Sequence, residues 1–491
     1  MHKVWHRMFV SEKVYKNMIC SIIRREILDN LLSLRFILSL IVIIMLFVTS
    51  GLVFSYHYKQ DQSDYWNNTN NNISILQNKS KKLSDLTFYR QEVWKKPSPL
   101  MLFAQGFDKS LPNRYEFNIF EMEYPDVSNR TNYLSSYFNN LDCEFIVSII
   151  LSIVAIFITY DSICGEKERG TLRLILSGSV SRSQILLAKY LSAMLTIAIP
   201  TVLGLLISML IGTVSKALVV ELREYVAITL FTLISFLYIS IFVLLGIFMS
   251  GTMKRSTNSI VVLLIIWVVL VILVPSLGRV ISNVLYKIPT HVEIERKLDD
   301  SFKVIWDQAY AGKFGDNAIA SVPNRNSEWV NPDAFMKRHQ AFTKAREQII
   351  DGYHNQMISQ ACYARNFLRF SPTILYQKIS ETFVGTGINR SIALYEQIKK
   401  YQNTLRDYIC AVDSKDPDSF HEYYNNETTA QWWNTISHKP VHFDTVPKFQ
   451  ERNFAIGRSL KVAVWDIGLL VLFNLVFFAA AFVSFLKYDV R

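Results

Sequence analysis

The stretch from Tyr160 to Tyr190, YDSICGEKERGTLRLILSGSVSRSQILLAKY, is polar and charge-dense and sits between two long apolar runs. A charge at the centre of a bilayer costs roughly 3 kcal/mol, so this stretch reads as a solvent-side connector between two membrane spans. Gly165 to Leu176 has the spacing of one short helix. Leu172, Ile175 and Leu176 are available to pack, while Glu166, Lys167, Glu168, Arg169 and Arg173 are available for exposed contacts. Gly178 is placed to end that helix. Ser181 followed by Gln184 has the capping-box pattern that starts the next one. Two helices joined by a tight turn make a compact lever, although spacing alone fits any well-capped connector equally well.

Outward from this connector, the chain of 491 residues is 50% hydrophobic and 19% charged, too apolar for an ordinary soluble enzyme and too polar to be spans alone. Scanning for roughly 20-residue uncharged runs predicts an all-α polytopic membrane protein with six transmembrane helices at 36–56, 142–161, 185–211, 226–250, 259–277 and 466–486. The first run is too long for a leader core and lacks a small-residue cleavage site, so it is expected to be an uncleaved span. The connector then occupies 162–184, and 251–258 forms a second loop on the same side. Lysines and arginines concentrate before the first span, in the connector, at Lys254 and Arg255, and in the tail 487–491. The positive-inside rule assigns these segments, and both termini, to the cytoplasm. The formal charge of +11 is spread among them rather than gathered in one patch, which argues against nucleic acid.

Before the first span, residues 1–35 include an amphipathic helix with Ile19, Ile22, Ile23, Ile27 and Leu31 on one stripe and Lys16, Arg24 and Arg25 off it. It is expected to lie along the membrane interface. On the outer side, 57–141 carries the Asn-rich patch Asn67–Asn72, read as a loop, with glycosylation-type triplets at Asn67, Asn72, Asn78 and Asn129 that such a composition also produces by chance. The segment 278–465 is long enough for its own core. It shows helical stripes at Leu298/Phe302/Ile305/Ala309, Phe335/Phe342/Ala345/Ile349/Tyr353 and Ile398/Tyr401/Leu405/Tyr408, with helix starts at Asn331-Pro332 and Ser371-Pro372. A mostly helical extracytoplasmic domain follows. Within it Cys362 and Cys410 either pair or remain thiols, and the scattered histidines lack metal-ligand spacing.

Catalytic motifs are absent. No phosphate-binding Gly-x-x-x-x-Gly-Lys-Ser/Thr loop, nucleophile elbow or His-Glu-x-x-His helix occurs, so the chain is not expected to hydrolyse ATP, and catalytic, cofactor-binding and metal sites are all read as none. Spans one, four and five contain no ionisable residue, which disfavours an ion-coupled carrier. Pro200 and Gly204 in the third span are either a hinge or a packing device.

The run Gly165-Glu166-Lys167-Glu168-Arg169-Gly170-Thr171-Leu172, then Leu174 to Leu176, Val180-Ser181-Arg182 and Leu187-Ala188-Lys189, resembles the coupling-helix region of ABC-2 type transporter permeases. Ser179 stands where that family commonly has proline. Phe370-Ser371-Pro372 and Gly385-Thr386-Gly387 are similar to a NosY-like subgroup with a large extracytoplasmic insert. The resemblance implies a permease subunit of the bacterial inner (plasma) membrane with no cofactor of its own. It further implies two copies of an ABC ATP-binding subunit that hold ATP and Mg, and a second permease subunit in a homodimer or heterodimer. The ATPase would dock on Glu166, Lys167, Glu168, Arg169, Gly170, Thr171, Leu172 and Ile175, with Lys254 and Arg255 adding a minor contact. The implied outcome is substrate export or movement of the outer domain. A sensor or scaffold whose outer domain binds a partner protein is the alternative.

Overall fold

Ser33 marks where the membrane part begins. Its hydroxyl accepts the Phe36 amide at 3.2 Å, capping a new helix just after a short one has ended. The computed structural model describes residues 20–106, 111–123, 141–177, 180–218, 221–285, 287–315, 332–424, 434–452 and 456–487. The short helix α1 covers 20–31, and α2 runs from Leu34 to Lys79 without interruption, 46 residues or roughly 70 Å at 1.5 Å per residue. The Asn-rich patch is therefore helical, not a loop. Asparagine costs only about 0.7 kcal/mol per helical residue, and Asn72 is held in place by accepting from the Tyr89 hydroxyl at 2.6 Å and the Glu92 amide at 3.3 Å.

Beyond α2 come α3 (Leu83–Phe88) and a hairpin of β1 (Gln91–Trp94) antiparallel to β2 (Arg114–Phe117), with Val93 opposite Tyr115. The second span, α4, consists of Cys143–Phe145, a π-helical turn at Ile146–Leu151, and Ser152–Thr159. Asp142 starts it, accepting the Phe145 amide at 2.8 Å. The connector forms α5 (Cys164–Glu168) and α6 (Thr171–Leu176). Then follow α7 (Arg182–Val214), α8 (Leu222–Thr252), and α9, which passes from Ser256–Trp267 through a π-helical turn at Val268–Leu273 into Val274–Leu285. The remaining helices are α10 (His291–Tyr310), α11 (Pro332–Phe367), α12 (Pro372–Val384), α13 (Ile388–Asp413) and α14 (Ile456–Leu486).

Among the described residues six helical stretches are long and apolar enough to cross a membrane, lying in α2, α4 with its continuation to Glu168, α7, α8, α9 and α14. The α8 window is 72% buried, against 17% for those of α9 and α14, so α8 is the hub of the bundle. The pair α2 and α7 closes over Gly204, where an added Cβ would fall inside the Phe47 ring, and the Ser208 hydroxyl donates to the Phe47 carbonyl at 2.8 Å. Gly204 therefore acts in packing: small residues let membrane helices approach closely. Gly204→Ala is expected to cost about 1–3 kcal/mol through overpacking, read as a lower melting temperature in detergent.

The segment that sequence places in the outer domain contains one helix that the fold buries. In α12 the side chains of Leu375, Tyr376, Ile379, Phe383 and Val384 join the same apolar core as the spans. Tyr376 stacks on Tyr238 with centroids 4.6 Å apart and shares a hydrogen bond with Ser235 at 2.9 Å. Tyr238 lies halfway along α8. Ser371 stands at the start of α12, but its hydroxyl donates to the Leu270 carbonyl at 2.9 Å, and the Tyr238 hydroxyl donates to the Ser148 carbonyl at 2.8 Å. Leu270 and Ser148 belong to the two π-helical turns, whose altered ladder lets their carbonyls take outside donors. Thus α12 is packed against the apolar helices at the level of those two turns.

Elsewhere in the outer segment parts of the stripes are buried, while Phe302 remains half-exposed. Ile398, Tyr401 and Leu405 on α13 are buried, the first two against the hairpin and Leu405 against α3. The Tyr401 hydroxyl donates to Gln91 and to the Pro447 carbonyl, both at 2.9 Å. Phe302 on α10 stacks on Phe342 of α11 at 4.3 Å. Cys362 and Cys410 are free thiols. Asn331 and the triplet at Asn129 lie outside the described residues.

Two histidines of α11 are buried among rings: His354 stacks on Tyr395 at 3.6 Å and His339 lies 4.4 Å from Phe335. Burial pushes both down to about 4, helped at His339 by the Arg338 charge. Both are neutral when folded, whereas an unfolded histidine takes its proton near pH 6.5. Their contribution to stability is therefore complete above about pH 6.5 and is lost as pH falls toward 4. Hydrogen exchange in α11, corrected for intrinsic rate, is expected to speed up between about pH 7.5 and about pH 5. His354→Gln should blunt that acceleration, and identical profiles would contradict it.

Candidate functional site

The connector is two short helices, not one. Glycine at position 170 adopts φ +73°, a left-handed conformation that side-chain-bearing residues rarely take, and it separates α5 from α6. No atom lies within 4 Å of where a Cβ on Gly170 would be. The glycine thus serves a backbone turn and leaves the space before it open. The α-helical period then sorts the side chains. Leu172 is 1% exposed and sits in the main core, with Ile175 and Leu176 packed against that core, while Leu174 on the opposite side is 76% exposed.

Each ionic residue of α5 is fastened to a different helix. Glu166 accepts from the Lys189 ammonium at 2.7 Å, and the same ammonium donates to Glu26 of α1 at 2.9 Å. Lys189 is only 3% exposed, so this one cation joins α1, α5 and α7 in a place water barely reaches. The Lys167 ammonium donates to the carbonyls of Gly251 and Met253, the second at 3.3 Å. These groups close the C-terminal end of α8, where a cation is favoured. The Glu168 carboxylate accepts from the Ser256 amide at 2.7 Å and its hydroxyl at 2.9 Å, capping the N-terminal end of α9 as an anion should.

Further bonds complete the joint. Ser250 of α8 accepts the amides of Ile163 at 2.9 Å and Cys164 at 3.0 Å. Arg182, the first residue of α7, donates to the Leu486 carbonyl at the end of α14 at 2.7 Å. Arg35 of α2 pairs with Asp161 at 2.8 Å and lies over the Tyr160 ring. The capping box of Ser181 and Gln184 is present in both directions. Gly178 and Ser179 lie outside the described residues. The elbow is thereby bonded to α7, α8 and α9, and the start of α7 in turn to the end of α14.

The residues singled out by sequence divide into two sets. Glu166 and Lys167 are half-buried fasteners, and Leu172 and Ile175 are rooted in this chain's own core, because the i, i+3 positions of α6 face the bundle. Exposed on one outward face are Glu168, Arg169, Gly170 and Thr171, and with them Lys254 and Arg255, brought alongside by the Glu168–Ser256 and Lys167–Met253 bonds. Sequence reasoning missed Leu174 as the exposed apolar residue. Counting two positions on from the inward Leu172, or two back from Leu176, would have found it.

It also missed a buried ionic cluster at the opposite end of the bundle. The Arg365 guanidinium makes a two-pronged pair with Glu381 of α12, both well buried. Asp466 of α14, 2% exposed, is met by Arg369 at 3.2 Å and Lys378 at 2.9 Å. The available signal was charge inside an apolar pattern: Glu381 interrupts the stripe of α12, and Asp466 borders the last apolar run.

A family model described as ABC-2 family transporter protein matches residues 20–490. The chain is also similar to a probable ABC transporter permease protein NosY of Pseudomonas aeruginosa, 37% identical over 59 residues, 12% of this chain and 22% of that protein. A probable ABC transporter permease protein NosY of Stutzerimonas stutzeri is 36% identical over 59 residues, 12% of this chain and 21% of that protein. The chain thus spans about a fifth of the length of these curated relatives.

Proposed function

The chain belongs to the ABC-2 family of transporter proteins, and on that premise we propose that its elbow is the surface on which a separate ATP-binding subunit docks and through which ATP-driven movement enters the membrane. As a multi-pass membrane subunit of an ABC transporter it relies on that partner for nucleotide. In this reading ATP and Mg belong to two copies of the ATP-binding subunit, which act on a pair of permease subunits. The elbow end faces the cytoplasm of a bacterial inner membrane, consistent with the basic residues gathered there.

The observation that carries the proposal is the fastening of α5 to α7 through Lys189, to the C-terminal end of α8 and to the N-terminal end of α9, while Leu174 and Arg169 are left facing outward. A loop that served only to connect two spans would not need bonds to three other helices. The test is retention of a co-expressed cognate ATP-binding subunit on the purified permease. Leu174→Asp and the double variant Arg169→Glu/Arg173→Glu are expected to lower retention at least about tenfold, the loss of roughly 1.4 kcal/mol or more. All three sites are exposed, so the fold should survive. Undiminished retention by both variants would refute the docking face.

The burial of α12 favours movement of the outer domain as the mechanical output. That helix is continuous with the outer segment and packs on α8, so displacement of α8 displaces α12. Export of a substrate and pure signalling by the outer domain both use this linkage, and ATP-dependent uptake or release by reconstituted vesicles separates them.

A further inference from the structure

At the elbow end, α8 and α14 part around Gly251, whose backbone is approached by Ser484. The opening is a cleft of about 570 Å³. Its lining includes three lysines, Lys167, Lys254 and Lys487, and apolar side chains, chiefly Phe248 and Val483. No carboxylate lines it among the described residues. The cleft lies where the apolar stretches of both helices end, at Thr252 and Leu486. With the elbow end in the cytoplasm, that is the level of the inner-leaflet headgroups.

We propose that this cleft binds the headgroup of an anionic phospholipid from the cytoplasmic leaflet. The phosphate meets the three ammonium groups, and Ser484 supplies a hydroxyl at the same level. The acyl chains run past Phe248 and Val483 into hydrocarbon. A zwitterionic lipid would bring its own ammonium against three lysines with no carboxylate to receive it, so the cleft selects for net negative charge. Basic pockets between spans on the cytoplasmic side are a recurring form of anionic lipid recognition. The consequence reaches the elbow, because Lys167 forms part of the cleft and also fastens α5 to the end of α8. An anion bound there draws on the same Lys167 ammonium that holds the Gly251 and Met253 carbonyls, so the composition of the inner leaflet tunes how stiffly the elbow is coupled.

The inference rests on the cytoplasmic placement of the elbow proposed above, and its test is run without any ATP-binding subunit so that the two can fail separately. The full-length chain is placed in nanodiscs of phosphatidylcholine and phosphatidylglycerol, and lipids retained after transfer to detergent are counted by native mass spectrometry. The wild type is expected to retain phosphatidylglycerol at least about tenfold over phosphatidylcholine, and each lysine removed should lower that preference about fivefold. Lys487→Gln and Lys254→Gln/Lys487→Gln give this series, and Lys461→Gln, at the other end of α14, should leave the preference unchanged. Equal retention of the two lipids by the wild type, or full preference in the double variant, would overturn the proposal. So would a cleft occluded by a second copy of the chain, seen as protection of the cleft with no lipid retained. Inorganic phosphate displacing phosphatidylglycerol completely at millimolar concentration would also count against a lipid. Equal retention of the two lipids by the wild type while the docking variants lose the subunit refutes the lipid site alone, and a wild-type lipid preference while both docking variants keep the subunit refutes the docking face alone.

Discussion

Replacing Lys189 by methionine is expected to destabilise the elbow by about 3–5 kcal/mol, the cost of breaking a buried charge group by removing one partner. The reason is specific to its surroundings. Lys189, 3% exposed, is the cation common to Glu26 at 2.9 Å and Glu166 at 2.7 Å, so its loss leaves two partly buried carboxylates facing each other without their cation. Either they separate, which detaches α1 from α5, or the elbow loosens from α7. Hydrogen exchange should therefore rise in 20–31 and 164–176 well before the rest of the bundle, together with a lower melting temperature. The double variant Lys189→Met/Glu166→Gln removes one of the stranded charges and should recover part of the loss. An unchanged melting temperature and unchanged exchange in Lys189→Met would show that this cation does not hold the joint.

A second change of similar size is expected at the other end of the bundle. Glu381→Leu takes from the largely buried Arg365 guanidinium its two-pronged carboxylate partner and should also cost about 3–5 kcal/mol. Replacing both partners with apolar residues of similar volume, as in Arg365→Met/Glu381→Leu, is often neutral or stabilising. The double variant should therefore melt close to the wild type. The cycle also separates two roles for α12. If the pair fixes where this helix sits, the double variant keeps its stability but loses the tight protection of α12 against exchange. A double variant as unstable as Glu381→Leu would instead mean that the local packing of this side chain, against Gly106 and Gly387, outweighs its charge.

The features legible in sequence were those encoded by one long run or by a few neighbouring residues. The six spans follow from uncharged length, and the Ser181 box from residues three apart. The inward set Leu172, Ile175 and Leu176 follows from helical period. The break at Gly170 was less visible because one glycine among good helix formers costs only about 1 kcal/mol, and only its φ shows that it ends a helix. The Asn-rich part of α2 was misread because composition was weighed over continuity with an already established helix. The burial of α12 was hidden for another reason: an apolar stripe looks the same whether it faces a domain core or the inside of a membrane bundle. Long-range ion pairs were not readable at all. Glu26 and Lys189 are 163 positions apart, and nothing local to either names the other, so Glu166 and Lys167 looked like exposed contacts when they are fasteners.

The unbroken course of α2 has a geometric consequence. From Tyr56 to Lys79 it continues as one rod for roughly 35 Å at 1.5 Å per residue, and its far portion is tied to the hairpin through Asn72. A tilt of roughly 5° about Tyr56 would sweep its tip by about 3 Å, by the same rise per residue. Because α2 packs against α7, and α7 carries Lys189 near its base, any tilt between these two helices would be multiplied along α2, in a ratio set by the length of a helix that has no stop signal where its apolar part ends.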